Sequence, residues 1–344
     1  MNQGTQLNIK TIMQDLFQGQ DLSSEQSSEL FENMLAGNLS DIEISAVLMA
    51  LKIKGETGTE ISALVNVLRA RANPINRPSG LFADCCGTGG DGLKTFNVST
   101  AAALTVASCG LSVVKHGNRA SSSPSGSADI IERSGVPLNA TPEQTMELLF
   151  KHKFCFLFAP AYHPLVGQVM PVRKTLATAT IFNLAGPLAN PTVPEIQLMG
   201  VCDQKLLKPM AEVLQNIGCK KGLVVYGSGL DEIALHDETL AILVEPDSMT
   251  EMVITPESLG VTRQALDSIQ LHDDDPKEVF DAVVSGQASE AKLDMVAINA
   301  GMVLWLAGKA EEQNEAVAMA KNALVNGKVS ETLNAIAQSC SKWS

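Results

Sequence analysis

Between residue 8 and about residue 72, apolar residues recur at three- and four-residue spacing, the period of amphipathic helices. Ser40-Asp41-Ile42-Glu43 forms a capping-box pattern that predicts a helix through Leu51, with Gly55 as its stop. Thr57-Gly58-Thr59-Glu60 opens the next helix, in which Ile61, Leu64, Val65 and Leu68 fall on one face. A bundle this small, with Leu48, Met49 and Leu51 to bury, is expected to pack against another element or another subunit. Asn73 to Pro78, with prolines at both 74 and 78, reads as the linker out of it.

From Leu81 the pattern changes to short apolar runs alternating with helical stretches, the signature of a mainly parallel sheet. Strands are expected at Leu111 to Val114, Phe154 to Phe158, Ile196 to Val201, Leu223 to Tyr226, Leu240 to Val244 and Glu251 to Ile254. Helices are expected from Pro142 to His152 and through the tail from about Asp275, with Met295 to Leu306 apolar enough for a core helix. A proline-punctuated segment runs from Ala159 to Pro191, and the chain has no internal repeat. The expected fold class is α/β: a small N-terminal helical domain, 1–75, and a large α/β domain, 80–344, with a mainly parallel central sheet. Helices from about 163–188 are expected to pack on the helical domain.

At 344 residues and 45% apolar content the chain has ample material for a core. Aromatic residues are only 4%, which leaves little for base-stacking platforms, and the net charge of −13 repels a phosphate backbone or an anionic membrane surface. Neither a nucleic acid nor a membrane is an expected partner. A phosphorylated ligand would need a local positive site and a metal ion. The seven cysteines are scattered without zinc or C-x-x-C spacing, and reduced core thiols in a cytoplasmic protein are the expectation. The five dispersed histidines give little support to a His-based metal site or a Ser-His-Asp triad. No apolar run has membrane-spanning length, and the polar start is not a secretory signal.

The most informative stretch is Asp84 to Glu132, where two small-residue loops flank one short apolar segment. The first, Asp84-Cys85-Cys86-Gly87-Thr88-Gly89-Gly90-Asp91-Gly92, has four glycines in six residues, so backbone N–H groups can approach a ligand closely. Asn97, Ser99 and Thr100 then stand where the following helix begins, placing hydroxyls, orphan amides and the positive dipole end together. The second, Lys115-His116-Gly117-Asn118-Arg119 followed by Ser121-Ser122-Ser123-Pro124-Ser125-Gly126-Ser127, adds fixed positive charge from Lys115 and Arg119. Together they predict one anion site suited to a phosphorylated sugar. Gly87, Gly89 and Gly92 also satisfy G-x-G-x-x-G, but the helix starts too late, and the next strand ends in Lys115 and His116 where a dinucleotide site needs an acid.

Outside the loops, Asp231-Glu232 follows a glycine turn at a predicted strand end, a position and chemistry suited to Mg²⁺. Pro171-Val172-Arg173 places an arginine on a first helical turn, where its planar fork could grip a carboxylate. His163-Pro164 reads as structural, and Asn183 to Pro191 is turn-dense without evident chemistry.

These residues together resemble the anthranilate phosphoribosyltransferases over essentially the whole chain. The carriers are Gly87-Thr88-Gly89-Gly90-Asp91-Gly92, Thr95-Phe96-Asn97-Val98-Ser99-Thr100, Lys115-His116-Gly117-Asn118-Arg119 with Ser122-Ser123, Gly126-Ser127-Ala128-Asp129, Pro171-Val172-Arg173, Thr180-Ile181-Phe182-Asn183, Gly186-Pro187-Leu188 and Gly229-Leu230-Asp231-Glu232. The resemblance implies the nucleoside phosphorylase/phosphoribosyltransferase type of fold and a homodimer formed through the helical domain. It implies Mg²⁺-dependent transfer from 5-phosphoribosyl 1-pyrophosphate (PRPP) to the amine of anthranilate; association with anthranilate synthase is a further expectation.

By position it assigns Gly87, Gly90, Asp91, Thr95, Asn97, Val98, Ser99, Thr100, Lys115, His116, Gly117, Asn118, Arg119, Ala120, Ser121, Ser122, Ser123 and Ser127 to PRPP. Gly87, Asn118 and Arg173 fall to anthranilate, Ser99, Asp231 and Glu232 to the metal, and Lys115 and Arg173 to catalysis. The chain departs from the family pattern at Gly167, where a basic residue is frequent, and at Leu176-Ala177-Thr178-Ala179, in place of Leu-Gly-x-Arg. A pyrimidine nucleoside phosphorylase and a non-catalytic nucleic-acid-binding relative share the fold type. The donor loops and the acidic charge balance favour the transferase.

Overall fold

The computed structural model describes residues 8–120 and 125–343. Four helices come first: α1 (Ile9–Phe17), α2 (Ser24–Leu35), α3 (Asp41–Lys54) and α4 (Gly58–Ala70). Capping boxes start the last three, with Ser23, Ser40 and Thr57 each taking an N3 amide while Gln26, Glu43 and Glu60 return to the cap amide. α3 runs past Leu51 to Lys54 and ends at Gly55, whose φ of 89° suits only glycine. Glu60 is fully buried, yet its carboxylate accepts from the Leu22 amide at 3.0 Å and pairs with Lys54 at 3.1 Å, so the burial is compensated.

The sheet follows, built from β1 (Phe82–Gly87), α5 (Val98–Ser108), β2 (Ser112–Gly117), α6 (Ser127–Arg133), α7 (Pro142–His152) and β3 (Phe154–Phe158). Three short helices, α8 (Ala159–Tyr162), α9 (Met170–Leu176) and α10 (Ile181–Ala185), lead to β4 (Ile196–Gly200), α11 (Leu207–Asn216) and β5 (Lys221–Tyr226). β6 (Thr239–Glu245) and β7 (Ser248–Ile254) form a hairpin, and α12 (Pro276–Val284), α13 (Glu290–Leu306), α14 (Gln313–Val325) and α15 (Lys328–Cys340) close the chain. The sheet order is β3-β2-β1-β4-β5-β6-β7, parallel through β5 and antiparallel beyond it.

Alternation along each strand feeds two cores. Leu223 and Val225 face α5 and the C-terminal helices, while Val224 faces the N-terminal bundle and α11; Cys85 and Cys86 divide the same way. The bundle docks through α4 on α11, and the stretch between β3 and β4 packs on α2, α3 and α4. At Gly58 a Cβ would lie 2.8 Å from the Glu212 carboxylate and 3.2 Å from the Pro209 carbonyl, so glycine permits the close approach of α4. The expected strand at Leu111 to Val114 begins at Ser112 and continues to Gly117, because β2 goes on pairing with β3 as far as Gly117 and Phe158. Lys115 and His116 are therefore strand residues, and the second loop starts after them. All seven cysteines are free.

Candidate active site

The five parallel strands end along one edge, and there β1 and β2 part. Their ladder stops at Ala83 and Val113, while β1 stays with β4 to Gly87 and Gly200 and β2 stays with β3 to Gly117 and Phe158. The sheet thus forks, with one glycine-bearing loop leaving each prong. Lys115 lies across the fork, buried, its Nζ donating to the Cys85 carbonyl at 2.8 Å and to Ser99 Oγ at 3.3 Å.

The first wall is shaped by what comes against it from far along the chain. A Cβ on Gly87 would sit 2.0 Å from Asp231 Oδ2, and one on Gly200 would sit 1.5 Å from the Asp231 carbonyl, so the turn after β5 lies directly over the ends of β1 and β4. Gly89, Gly90 and Gly92 have φ of 69°, 86° and 70°, a left-handed run open to glycine. The Gly89 amide donates to Asp231 Oδ2 at 2.7 Å, and the Ser99 amide at the start of α5 serves the Glu232 carboxylate. Asp91 Oδ1 accepts from Leu93 N at 3.1 Å, and Thr95 bridges to Gln270, whose amide reaches the Leu93 carbonyl at 2.9 Å. Asn97 is the N-cap residue of α5 but makes no side-chain capping bond; its amide crosses to the Ser125 carbonyl at 3.1 Å and ties the two walls together. Val98 and Thr100 are buried in the core behind the wall.

Charge is unsettled here. Burial, then the neighbouring Asp91, pushes the Asp231 carboxyl up to about 6. Glu232 is driven well above the usual carboxylate range by burial and by Asp231, with Lys115 opposing. Among the described residues no group of three or more His, Cys, Asp or Glu forms a ready cage for a metal ion. Two carboxylates and the Ser99 hydroxyl make instead an oxygen-only partial set, the kind that suits a hard cation completed by water and substrate phosphate.

Among the described residues, the two ends of the second wall are held to each other. Gly117 and Gly126 allow the return of the chain, since a Cβ on the first would fall 2.2 Å from Ser127 Oγ and on the second 2.3 Å from the Ala120 amide. The Asn118 carbonyl accepts from Ala128 N at 3.1 Å and Ser127 Oγ at 3.3 Å, and its side-chain oxygen accepts from Arg119 N at 2.8 Å. Asp129 Oδ2 gathers the Ala120 and Gly126 amides at 3.0 and 2.9 Å. Arg119, expected to supply fixed positive charge, is held by Asp129 at 2.9 Å and Glu132 at 2.8 Å, so its charge also organises the loop. Ser121, Ser122 and Ser123 lie outside the described residues. The His116 ring is buried edge-on against His163, centroids 5.2 Å apart, and burial followed by that neighbour lowers it to about 3, so it is neutral at physiological pH.

Arg173 stands apart on α9. Its guanidinium lies over the Phe182 ring at 5.2 Å, donates to Asn183 Oδ1 at 3.3 Å, and has no hydrogen bond to Gly87 or Asn118 among the described residues. Ala177 caps α9 with φ 48°, a left-handed conformation costing a side-chain-bearing residue about 1 kcal/mol. Lys52 of α3 steadies the next two residues, donating to Thr178 Oγ1 at 2.6 Å and the Ala179 carbonyl at 2.8 Å. Gly167 faces open space.

Comparison with known proteins adds an independent line. Residues 79–330 match the α/β domain of a glycosyl transferase family and residues 10–72 match its helical bundle domain. Anthranilate phosphoribosyltransferase of Sorangium cellulosum is 44% identical over 94% of each chain, and that of Pseudoalteromonas translucida is 42% identical over 95% of this chain and 93% of its own. The chain belongs to the anthranilate phosphoribosyltransferase family. The crystal structure of the Thermus thermophilus anthranilate phosphoribosyltransferase superposes with a TM-score of 0.88 at 35% identity, covering 96% of this chain and 99% of that one. The Saccharomyces cerevisiae family member, in a structure with PRPP and Mg, shares the fold at 24% identity, with a TM-score of 0.87 and coverage of 97% and 98%.

Within this family framework, four residues to which sequence reasoning gave no role help to build the site: Asp84 and Asp129, which lay inside quoted motifs, and Asn190 and Gln270. Gln270 and Asp129 hold the two loops. Asp84 and Asn190 fill the fork: Asn190 Nδ2 donates to Asp84 Oδ2 at 2.9 Å and to the Val114 carbonyl at 2.8 Å, and Asp84 accepts from Cys85 N at 2.8 Å and His116 N at 3.4 Å. Buried backbone groups left unpaired cost about 1–3 kcal/mol each, so a fork inside a sheet needs such fillers. The signals available were Asp84 in an otherwise apolar strand pattern and Asn190 in a turn-dense stretch.

Proposed function

We infer that the donor lies between the two walls, and that the acceptor approaches from the side of Arg173. The protein transfers the phosphoribosyl group of PRPP to the amine of anthranilate, giving N-(5-phosphoribosyl)anthranilate and pyrophosphate, a step of tryptophan biosynthesis. The observation that carries this reading is the convergence of the glycine loop, Lys115, Ser99 and the Asp231-Glu232 turn on one sheet edge, in a chain of this family. Anthranilate's aromatic amine is neutral at pH 7, so no strong base is required; the residues must orient it at the ribose C1 carbon and stabilise the departing pyrophosphate. Lys115 supplies a held ammonium for that charge, and the amides of Gly89 to Gly92 and the start of α5 supply oriented donors. Gly87 and Asn118 border the acceptor, and Arg173 holds its carboxylate through a planar two-donor fork.

Magnesium fits the residues present. Asp231 is raised by burial and by Asp91, Glu232 by burial and by Asp231 with Lys115 opposing, and neither forms an ion pair among the described residues; Ser99 adds a third oxygen. Bound Mg²⁺ would neutralise pyrophosphate charge. The test is loss of anthranilate fluorescence by purified protein, expected only when PRPP and a divalent ion are both present. Thymidine phosphorolysis without anthranilate turnover would overturn the assignment in favour of a nucleoside phosphorylase.

A homodimer through the helical segment belongs to the same proposal. Ile42 and Ile53 are 82% and 80% exposed on one face of α3, with Ala46 and Met49 between them, and Phe17 is half exposed on the adjoining α1. Light scattering should give twice the chain mass, and Ile42→Lys with Ile53→Lys should give the monomer. No helix among the described residues is long and apolar enough to cross a membrane.

A further inference from the structure

The fork between β1 and β2 is the one place where the parallel ladder of the sheet opens before its strands end. Opening it frees the Val114 carbonyl, the His116 amide and the Cys85 carbonyl, all buried. Three side chains meet them: Asn190 takes the Val114 carbonyl, Asp84 takes the His116 amide, and Lys115 takes the Cys85 carbonyl. Asp84 and Asn190 are also bonded to each other at 2.9 Å, and Asn190 is locked from behind by the Thr192 amide and hydroxyl at 3.0 and 2.8 Å. Asp84, Asn190 and Lys115 are all buried, so none of these contacts is shared with bulk water.

Strand alternation separates the roles. Cys85 stands level with Lys115 on the α5 side, where the ammonium reaches Ser99, while Asp84 lies on the side facing the bundle and the turn that carries Asn190. An uncompensated carboxylate in a core is costly, and Lys115 is the chief charge opposing that cost at Asp84. Simple filling of the fork would be met by a neutral amide. A carboxylate there does more: it acts across the sheet on the ammonium, and the prong spacing it sets fixes how far Lys115 projects toward the two loops.

We propose that Asp84 and Asn190 are positioning residues for the donor half of the reaction, holding the β1–β2 fork open and anchoring the Lys115 ammonium at Ser99. This rests on the assignment of Lys115 to the donor site. Neither residue touches substrate; both act through Lys115 and the spacing of the two loops. Asp84→Asn keeps the volume and a bond to Asn190 but removes the charge.

The test is a double-mutant cycle of Asp84→Asn and Lys115→Met, read as KM for PRPP at saturating anthranilate and KM for anthranilate at saturating PRPP, at fixed Mg²⁺. Asp84→Asn should raise the KM for PRPP about tenfold and leave that for anthranilate within about twofold. In the Lys115→Met background it should have no further effect beyond about twofold, since the residue it acts through is gone. Full multiplication of the two effects, or equal rises in both KM values, would overturn the positioning role and leave Asp84 a packing residue. Unchanged PRPP kinetics in Lys115→Met alone would overturn the Lys115 assignment itself, a separate result. Should Asp84→Asn fail to fold, Asn190→Ser breaks the same bridge from the other side and carries the same expectations.

Discussion

The two walls of the site settle their charges in opposite ways. In the second, every acid has a base or an amide: Asp129 takes two backbone N–H groups and Arg119, and Glu132 takes the rest of that guanidinium. In the first, Asp91, Asp231 and Glu232 lie close together, and burial first, then the neighbouring acids, pushes Asp231 and Glu232 up, with Lys115 opposing the rise at Glu232. Among the described residues the acids of the second wall are thus already partnered, whereas the first holds two buried carboxyls with raised pKa, which the proposed cation would relieve. Arg173 belongs to neither wall; it lies on α9 against Phe182 and Asn183, and its proposed role is with the acceptor.

Changes at each place should therefore separate cleanly. The largest effect is expected outside both walls: Arg173→Lys keeps the charge but loses the planar fork, and should raise the KM for anthranilate by about tenfold or more, with that for PRPP nearly unchanged. Equal rises would place Arg173 with the donor and break the division. A smaller change should follow Asp129→Asn, which weakens the pre-built wall without entering the site; a rise of about three- to fivefold in the KM for PRPP, with unchanged magnesium dependence, is expected. A shift in that dependence would mean the walls share one charge network.

The smallest effect concerns pH. A carboxyl whose pKa is raised on folding binds its proton more tightly in the folded state, so stability is lost as pH rises from its ordinary value of 3.8 toward the folded value of about 6 and stays lost above it. Without metal, Asp231→Asn should become more stable relative to wild type between pH 4.5 and 7, by on the order of 1–2 kcal/mol in denaturant unfolding. With Mg²⁺ bound the order should reverse. Asp84, also near 6, titrates in the same window but is common to both proteins and drops out of the difference.

The contrast also marks what the sequence could reveal. Local signals were sufficient for elements: Thr141 and Pro142 start α7 and His152 ends it where the pattern predicts, and β3 occupies Phe154 to Phe158 as expected, because caps and apolar runs act over a few residues. The glycine loop and Asp231-Glu232 were legible as chemistry, yet the reason for Gly87 is a carboxylate 144 positions later, and only the fold brings the two together. Asp84 stood at the head of the first loop, but its partner Asn190 is 106 residues away in a turn-dense stretch, and only the fold pairs them. Arg119 was legible as a charge, while its neutralisation by Asp129 and Glu132 depended on how α6 folds back over the loop.

The most direct test of an acidic wall that is completed by a cation is a magnesium titration of initial rates, at saturating PRPP and anthranilate, for wild type and Glu232→Gln. The substitution removes one ligand charge while nearly preserving shape. Turnover should fall, and the magnesium concentration for half-maximal rate should rise by about tenfold. Superimposable curves would remove Glu232 from the metal site and contradict the reading of the first wall.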